Sequence, residues 1–284
     1  MQFYYGAGML DYPSKSNHED PAVRKRFEDA HELYKTDRDN AIGLLKQNID
    51  EGCLSSMVLL GTILSDGNET EREQSVELFR LASDHDDPSG SRNLAYCYAI
   101  GLNVEKDKEK GITLYVKSAL LGNARSACNA GVMFDYGNGT EKDDNEAFYW
   151  FTRSAEGGCT RGMTNLGEFY LLGKGTAKNV PLAIEWFTRS GSPRAVYRLS
   201  EIYLTEEGFK DEKKGLGLLK QSAEMGYSRG MVKYAKLIEK EHPEDATSFY
   251  NKAAAKGNSE AIAALEERGL PVPESRRKRA KKSQ

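Results

Sequence analysis

Residues 124–159, ARSACNAGVMFDYGNGTEKDDNEAFYWFTRSAEGGC, constrain this chain more than any other feature, because the next 36 residues follow the same plan. Asn129-Ala-Gly131 becomes Asn165-Leu-Gly167, Gly137-Asn-Gly139 becomes Gly173-Lys-Gly175, and Trp150-Phe-Thr-Arg-Ser154 becomes Trp186-Phe-Thr-Arg-Ser190. Each copy reads as two helices joined by a glycine turn and closed by a glycine stop. A unit of that size cannot bury its own apolar face, so it must stack on its neighbours.

The period extends along most of the chain. Second helices align on Ala41, Ser75, Gly111, Ala147, Ala183, Gly215 and Ala246. Three positions on stand Leu44, Leu78, Leu114, Trp150, Trp186, Leu218 and Phe249. Four on stand Leu45, Phe79, Tyr115, Phe151, Phe187, Leu219 and Tyr250. Large apolar residues at i+3 and i+4 make a helical core stripe, and both tryptophans are expected to pack in it. First helices align on Ala30, Gly61, Ala95, Gly131, Gly167, Ser200 and Ala235, a position held small because another helix presses against it. The predicted fold is all-α: an α/α superhelical solenoid of about seven helix-turn-helix repeats over 21–270. Residues 259–270 form a capping helix.

The ends differ from the body. Residues 1–20 fit no repeat, and Phe3, Tyr4 and Tyr5 leave open an ordered cap or a disordered arm. Residues 271–284 read as a disordered tail with a dense cationic cluster of Arg276, Arg277, Lys278, Arg279, Lys281 and Lys282. That cluster suits an import signal, an electrostatic tether to nucleic acid or acidic membrane, or a solubilising tail. The net charge of −3 argues against a body that binds nucleic acid generally. No stretch is apolar enough to span a membrane, and the first residues lack a signal-peptide pattern. Cys53, Cys97, Cys128 and Cys159 show no CxxC spacing and read as reduced thiols in different repeat phases of an intracellular, cytoplasmic or nuclear protein.

The pattern AxxNLGxxYxxGxGTxxDxxxAxxWFxRSAExG resembles the Sel-1-like repeat, a relative of the tetratricopeptide repeat. The resemblance is close over 124–190, recognisable over 88–123 and 193–258, and looser over 22–87. It implies an adaptor without catalysis of its own, engaging protein partners on the concave face lined by first helices. On that face the resemblance places Asn93, Asn129 and Asn165, then Arg198 and Lys233. A ladder of amides could pair with the backbone of an extended peptide. Four residues earlier come Arg125, Arg161, Arg194 and Arg229, suited to an acidic segment or a C-terminal carboxylate. Tyr96, Val132, Tyr136 and Leu172 are candidate apolar contacts, Tyr136 foremost.

Catalytic and metal patterns are missing. His18, His31, His85 and His242 lie far apart, without zinc spacing. Asp84-His85-Asp86-Asp87 reads as a loop with capping roles. Gly173-Lys-Gly-Thr176 resembles a phosphate loop but recurs as the repeat turn. No cofactor is implied. The expected function is therefore a non-enzymatic scaffold for protein partners. The alternative is a nuclear or RNA-associated factor acting through its basic tail.

Overall fold

The computed structural model describes residues 10, 13, 15, 16 and 18–273. Phe3, Tyr4, Tyr5 and the cationic cluster Arg276–Lys282 lie outside them. Among the described residues the regular structure is fifteen helices. They are α1 (Pro21–Leu33), α2 (Arg38–Asp50), α3 (Leu54–Leu64), α4 (Glu69–Asp84), α5 (Pro88–Ile100), α6 (Lys108–Leu120), α7 (Ala124–Tyr136) and α8 (Asp144–Glu156). Then follow α9 (Thr160–Leu172), α10 (Val180–Ser190), α11 (Pro193–Thr205), α12 (Glu212–Glu224), α13 (Ser228–Ile238), α14 (Pro243–Ala255) and α15 (Ser259–Glu267). Odd numbers are first helices and even numbers second helices. Six of the seven expected pairs pack as neighbours, α1/α2, α3/α4, α5/α6, α7/α8, α11/α12 and α13/α14, and α15 packs on α14.

Local chemistry sets the boundaries. Asp107, Asn123 and Asp143 accept backbone N–H groups at the starts of α6, α7 and α8. Asp87 does the same for α5, which is the capping role expected of the Asp84–Asp87 run. Gly101, Gly137 and Gly173 end α5, α7 and α9 in left-handed geometry. The second glycine of the turn has a different reason. A Cβ on Gly139 would come within 2.4 Å of the Lys108 carbonyl, and one on Gly175 within 2.1 Å of the Asp144 carbonyl. Each turn therefore sits directly on the start of the preceding second helix. Lys174, between the glycines, pairs with Asp135 and lies 3.5 Å from Asp144.

The chain divides into two compact units, one ending at Lys178 and the other beginning at Asn179. In the first, α1 to α8 supply three successive apolar clusters. In the second, a cluster gathers Ala223, Met231, Tyr250, Leu265 and neighbours from α12 to α15. Across both, the i+4 members of the second helices are fully buried, from Leu45 to Tyr250. The i+3 members divide: Trp150 is buried, while Trp186 and the other five are only half-buried. Trp186 is therefore not the core residue expected; Arg189 lies 4.2 Å over its ring. The small first-helix position is explained by contact. A Cβ on Gly61 or Gly131 would stand 2.7 Å from the rings of Phe79 and Phe151, the i+4 residues of their own pairs.

A second periodic feature is a serine near the end of second helices. Ser118, Ser154 and Ser222 donate to the carbonyls of Pro88, Ala124 and Pro193, at the start of the first helix of the same pair. Ser83 and Ser118 also bond Ser91 and Ser126 of the following first helix, at 2.9 and 2.7 Å. The Ser118 hydroxyl thus pins three consecutive helices.

Candidate functional site

Residues at i, i+4, i+7 and i+11 share one face of a helix. On α5 these are Ser89, Asn93, Tyr96 and Ile100. On α7 they are Arg125, Asn129, Val132 and Tyr136, and on α9 Arg161, Asn165, Glu168 and Leu172. The face thus carries a polar start, a central amide and an apolar end three times in the first unit. In the second unit the same positions are Arg194, Arg198, Glu201 and Thr205 on α11, then Arg229, Lys233 and Lys236 on α13.

The amides are not held out to solvent. Asn93, Asn129 and Asn165 are 0%, 4% and 8% exposed. Asn93 Nδ2 donates to Thr62 Oγ1 of α3, and Asn129 Oδ1 accepts from Arg161 of α9. Asn165 Nδ2 reaches Cys128 Sγ at 3.7 Å. Each amide therefore brackets neighbouring first helices. Burial without such partners would cost about 1–3 kcal/mol per group, so the brackets are obligatory to the stack. They leave little surface for the peptide pairing that the resemblance implied.

The basic residues separate in the same way. Arg161 turns inward: its Nε donates to Cys128 Sγ at 2.9 Å, besides the bond to Asn129. Arg198 and Lys233 converge on Glu201, at 2.6 and 3.4 Å, and Tyr197 Oη donates to the same carboxylate at 2.9 Å. Partial burial opposes the charge on Glu201, but the bonds from Arg198 and Tyr197 outweigh it and hold the carboxyl below its ordinary range. Arg125, Arg194 and Arg229 are exposed. The predicted basic residues are thus three exposed arginines, one half-buried bracket at Arg161, and Arg198 and Lys233 paired with one carboxylate.

What the first unit does present is apolar. Tyr136 is 54% and Leu172 60% exposed, and Ile100 stands at the equivalent position of α5. Tyr96 and Val132 are half-buried on the same helix faces. The 36-residue step from Ile100 to Tyr136 to Leu172 was in the sequence, though only the last two were singled out. Among the described residues no group of three His, Cys, Asp or Glu is placed to hold a metal, and no helix is long and apolar enough to cross a membrane.

Stacked helix pairs with interlocked first helices define the class of α/α repeat proteins. The Sel1 repeat model matches residues 54–87, 88–123, 124–159, 160–192, 193–227 and 240–258, more than half the chain. The chain belongs to the Sel1 repeat family, whose members generally mediate protein–protein interactions. Two structural relatives support the fold. The protective antigen c5321 of uropathogenic Escherichia coli has 27% identity and a TM-score of 0.70, over 86% of this chain and 56% of that one. A Sel1 repeat protein from Oxalobacter formigenes has 20% identity and a TM-score of 0.70, over 86% and 75%. Among curated proteins, the DAP3-binding cell death enhancer 1 of Rattus norvegicus is 31% identical over 87 residues, 31% of this chain and 17% of that protein. The mouse counterpart is 26% identical over 91 residues, 32% and 18%. The chain thus spans less than a fifth of the curated relatives it matches.

Proposed function

We propose that this chain is a non-enzymatic adaptor whose first unit binds a protein segment across the α5, α7 and α9 faces. The segment inserts apolar side chains against Ile100, Tyr136 and Leu172 and offers carboxylates to Arg125. The single observation that carries this reading is the exposure of Tyr136 and Leu172 at equivalent ends of successive first helices. Large apolar side chains exposed at one repeat position mark an interaction surface, and aromatic anchors of this kind dominate affinity when a partner desolvates them. The asparagines act beneath this surface: they fix the spacing of the helices that present it.

The test is affinity of the full chain for partners captured from its own cells, with Tyr136→Ala/Leu172→Ala compared with Arg198→Ala/Lys233→Ala. The first pair is expected to weaken binding at least tenfold, about 1.4 kcal/mol or more, and the second to change it less than about threefold. Equal affinities for the Tyr136→Ala/Leu172→Ala protein and the parent would overturn the reading.

A further inference from the structure

Cys159 and Cys128 lie in successive repeats, yet the fold joins them. Cys159 is the residue just before α9, and Cys128 is at the centre of α7. Cys53 occupies the same place before α3, so two of the four cysteines share a repeat phase, contrary to the sequence-based expectation. At Cys159 a second thiol is within reach: the Cys128 side chain lies against it. Cys128 in turn accepts the Arg161 Nε–H at 2.9 Å. The resulting chain runs from guanidinium to thiol to thiol.

Two further groups favour negative charge on Cys159. The backbone N–H groups of Arg161 and Gly162 lie against it, short of a full capping hydrogen bond. The thirteen-residue α9 adds the positive end of its dipole. Cys159 is also the one cysteine of the four that is not buried.

From this arrangement we infer that Cys128 and Cys159 are a peroxide-sensitive dithiol, which closes to a disulfide joining α7 to the start of α9. The Cys159 thiolate attacks one oxygen of hydrogen peroxide; the O–O bond breaks and hydroxide leaves. Cys159 becomes a sulfenic acid, its sulfur oxidised by two electrons as the peroxide is reduced. The Cys128 sulfur then attacks the Cys159 sulfur. The S–S bond forms, the S–O bond breaks, and the departing hydroxide takes the Cys128 proton as water. In sum, two thiols and one peroxide give one disulfide and two waters.

The acidities agree with the division of roles. Contact with the Cys128 thiol, helped by the α9 N–H groups, brings the Cys159 thiol down to about 5. Burial pushes Cys128 well above the ordinary thiol range and Cys97 up to about 12. At neutral pH the reactive thiolate is therefore Cys159, and Cys128 retains the proton that the second step releases. Closure also takes the Cys128 sulfur from Arg161 and Asn165, so the bracket beneath the α7 and α9 faces is rearranged.

The experiment uses the full chain, reduced and then exposed to hydrogen peroxide, with thiols labelled by iodoacetamide and mapped by mass spectrometry. At pH 6 Cys159 is expected to alkylate at least about tenfold faster than Cys53, Cys97 or Cys128. Peroxide should give an intramolecular Cys128–Cys159 disulfide, reversed by dithiothreitol. In Cys128→Ser a sulfenic acid at Cys159 should be trapped by dimedone instead, and Cys159→Ser should give neither product. Circular dichroism checks the fold of both variants. The labelling of the parent chain decides the matter even if a variant fails to fold. Cys159 alkylating no faster than Cys97, or peroxide leaving both thiols of the parent reduced, would overturn the inference.

Discussion

The first-helix faces of the two units use one set of positions in opposite ways. In the first unit the brackets between helices join amides to a hydroxyl, a guanidinium and a thiol, without a carboxylate: Asn93 to Thr62, Asn129 to Arg161, Asn165 to Cys128. The exposed ends are then free to be apolar. In the second unit the bracket is ionic, Arg198 and Lys233 on Glu201, and α11 ends in Thr205 rather than a large apolar residue. A repeat position therefore fixes where a side chain stands but not what it does. Its chemistry is set by the residue one helix away.

The largest effect on this contrast should come from the packing that holds the first-unit face. Gly131→Ala places a Cβ 2.7 Å from the ring of Phe151, which is itself fully buried and cannot move aside. The substitution gains up to about 1 kcal/mol of helix propensity but incurs roughly 1–3 kcal/mol of overpacking. A net loss of stability is expected. In the second unit, Ala235 already carries a Cβ at this position, and Ala235→Gly should lose about 1 kcal/mol for the opposite reason. Urea denaturation of both variants measures this; a stabilised Gly131→Ala would show that the small position is not set by contact.

Next in size is Asn129→Ala, which removes the amide acceptor of the Arg161 guanidinium but leaves its Cys128 contact, and is expected to destabilise by about 0.5–1.5 kcal/mol. Its effect on partner affinity should follow the loss of folded protein, because Asn129 is buried. Partner affinity falling in a fully folded Asn129→Ala chain would restore the amide ladder as a direct contact.

How far the sequence reached is visible at these positions. The helix pairs, the glycine stops and the i+4 core residues were legible because each is dictated by spacing within one unit. The asparagine and arginine ladders were equally legible as periodicities. Their orientation was not, because an amide pointing to solvent and one bonding Thr62 leave the same letter. Ser118 and Ser154 were overlooked for a related reason: a serine at a helix end reads as surface until the Pro88 and Ala124 carbonyls are placed beside it. Cys53 and Cys159 share a phase that the alignment contained, but the contact between Cys128 and Cys159 is a property of the stack.

The Cys159 thiol of the first unit and the Glu201 carboxylate of the second should also titrate in different windows. Cys159 is depressed in the folded chain, so the stability it contributes is present above the ordinary thiol range, near 8.5, and is lost as pH falls towards about 5. Glu201 is depressed too, but from the carboxylate range. Its contribution is complete above about 4.3 and is lost only as pH falls through its lower folded value. Hydrogen exchange followed peptide by peptide should show α7 and α9 loosening between pH 8 and 5 while α11 and α13 stay protected. Cys159→Ser should abolish the first change and leave the second. Simultaneous loosening of both units would mean that neither group governs its own unit.

The smallest effect expected is at Lys233. Its ammonium lies 3.4 Å from Glu201 and is partly exposed, whereas Arg198 approaches the same carboxylate to 2.6 Å. Water and salt screen the lysine, and Glu201 keeps two donors, Arg198 and Tyr197, when it is removed. Lys233→Ala should therefore cost less than about 1 kcal/mol, and Arg198→Ala more, because the latter strips the half-buried carboxylate of its closest charge. Adding Glu201→Gln to each closes a double-mutant cycle. A coupling for Lys233 as large as that for Arg198 would make the second unit's bracket a three-membered network rather than one strong pair with an exposed attendant.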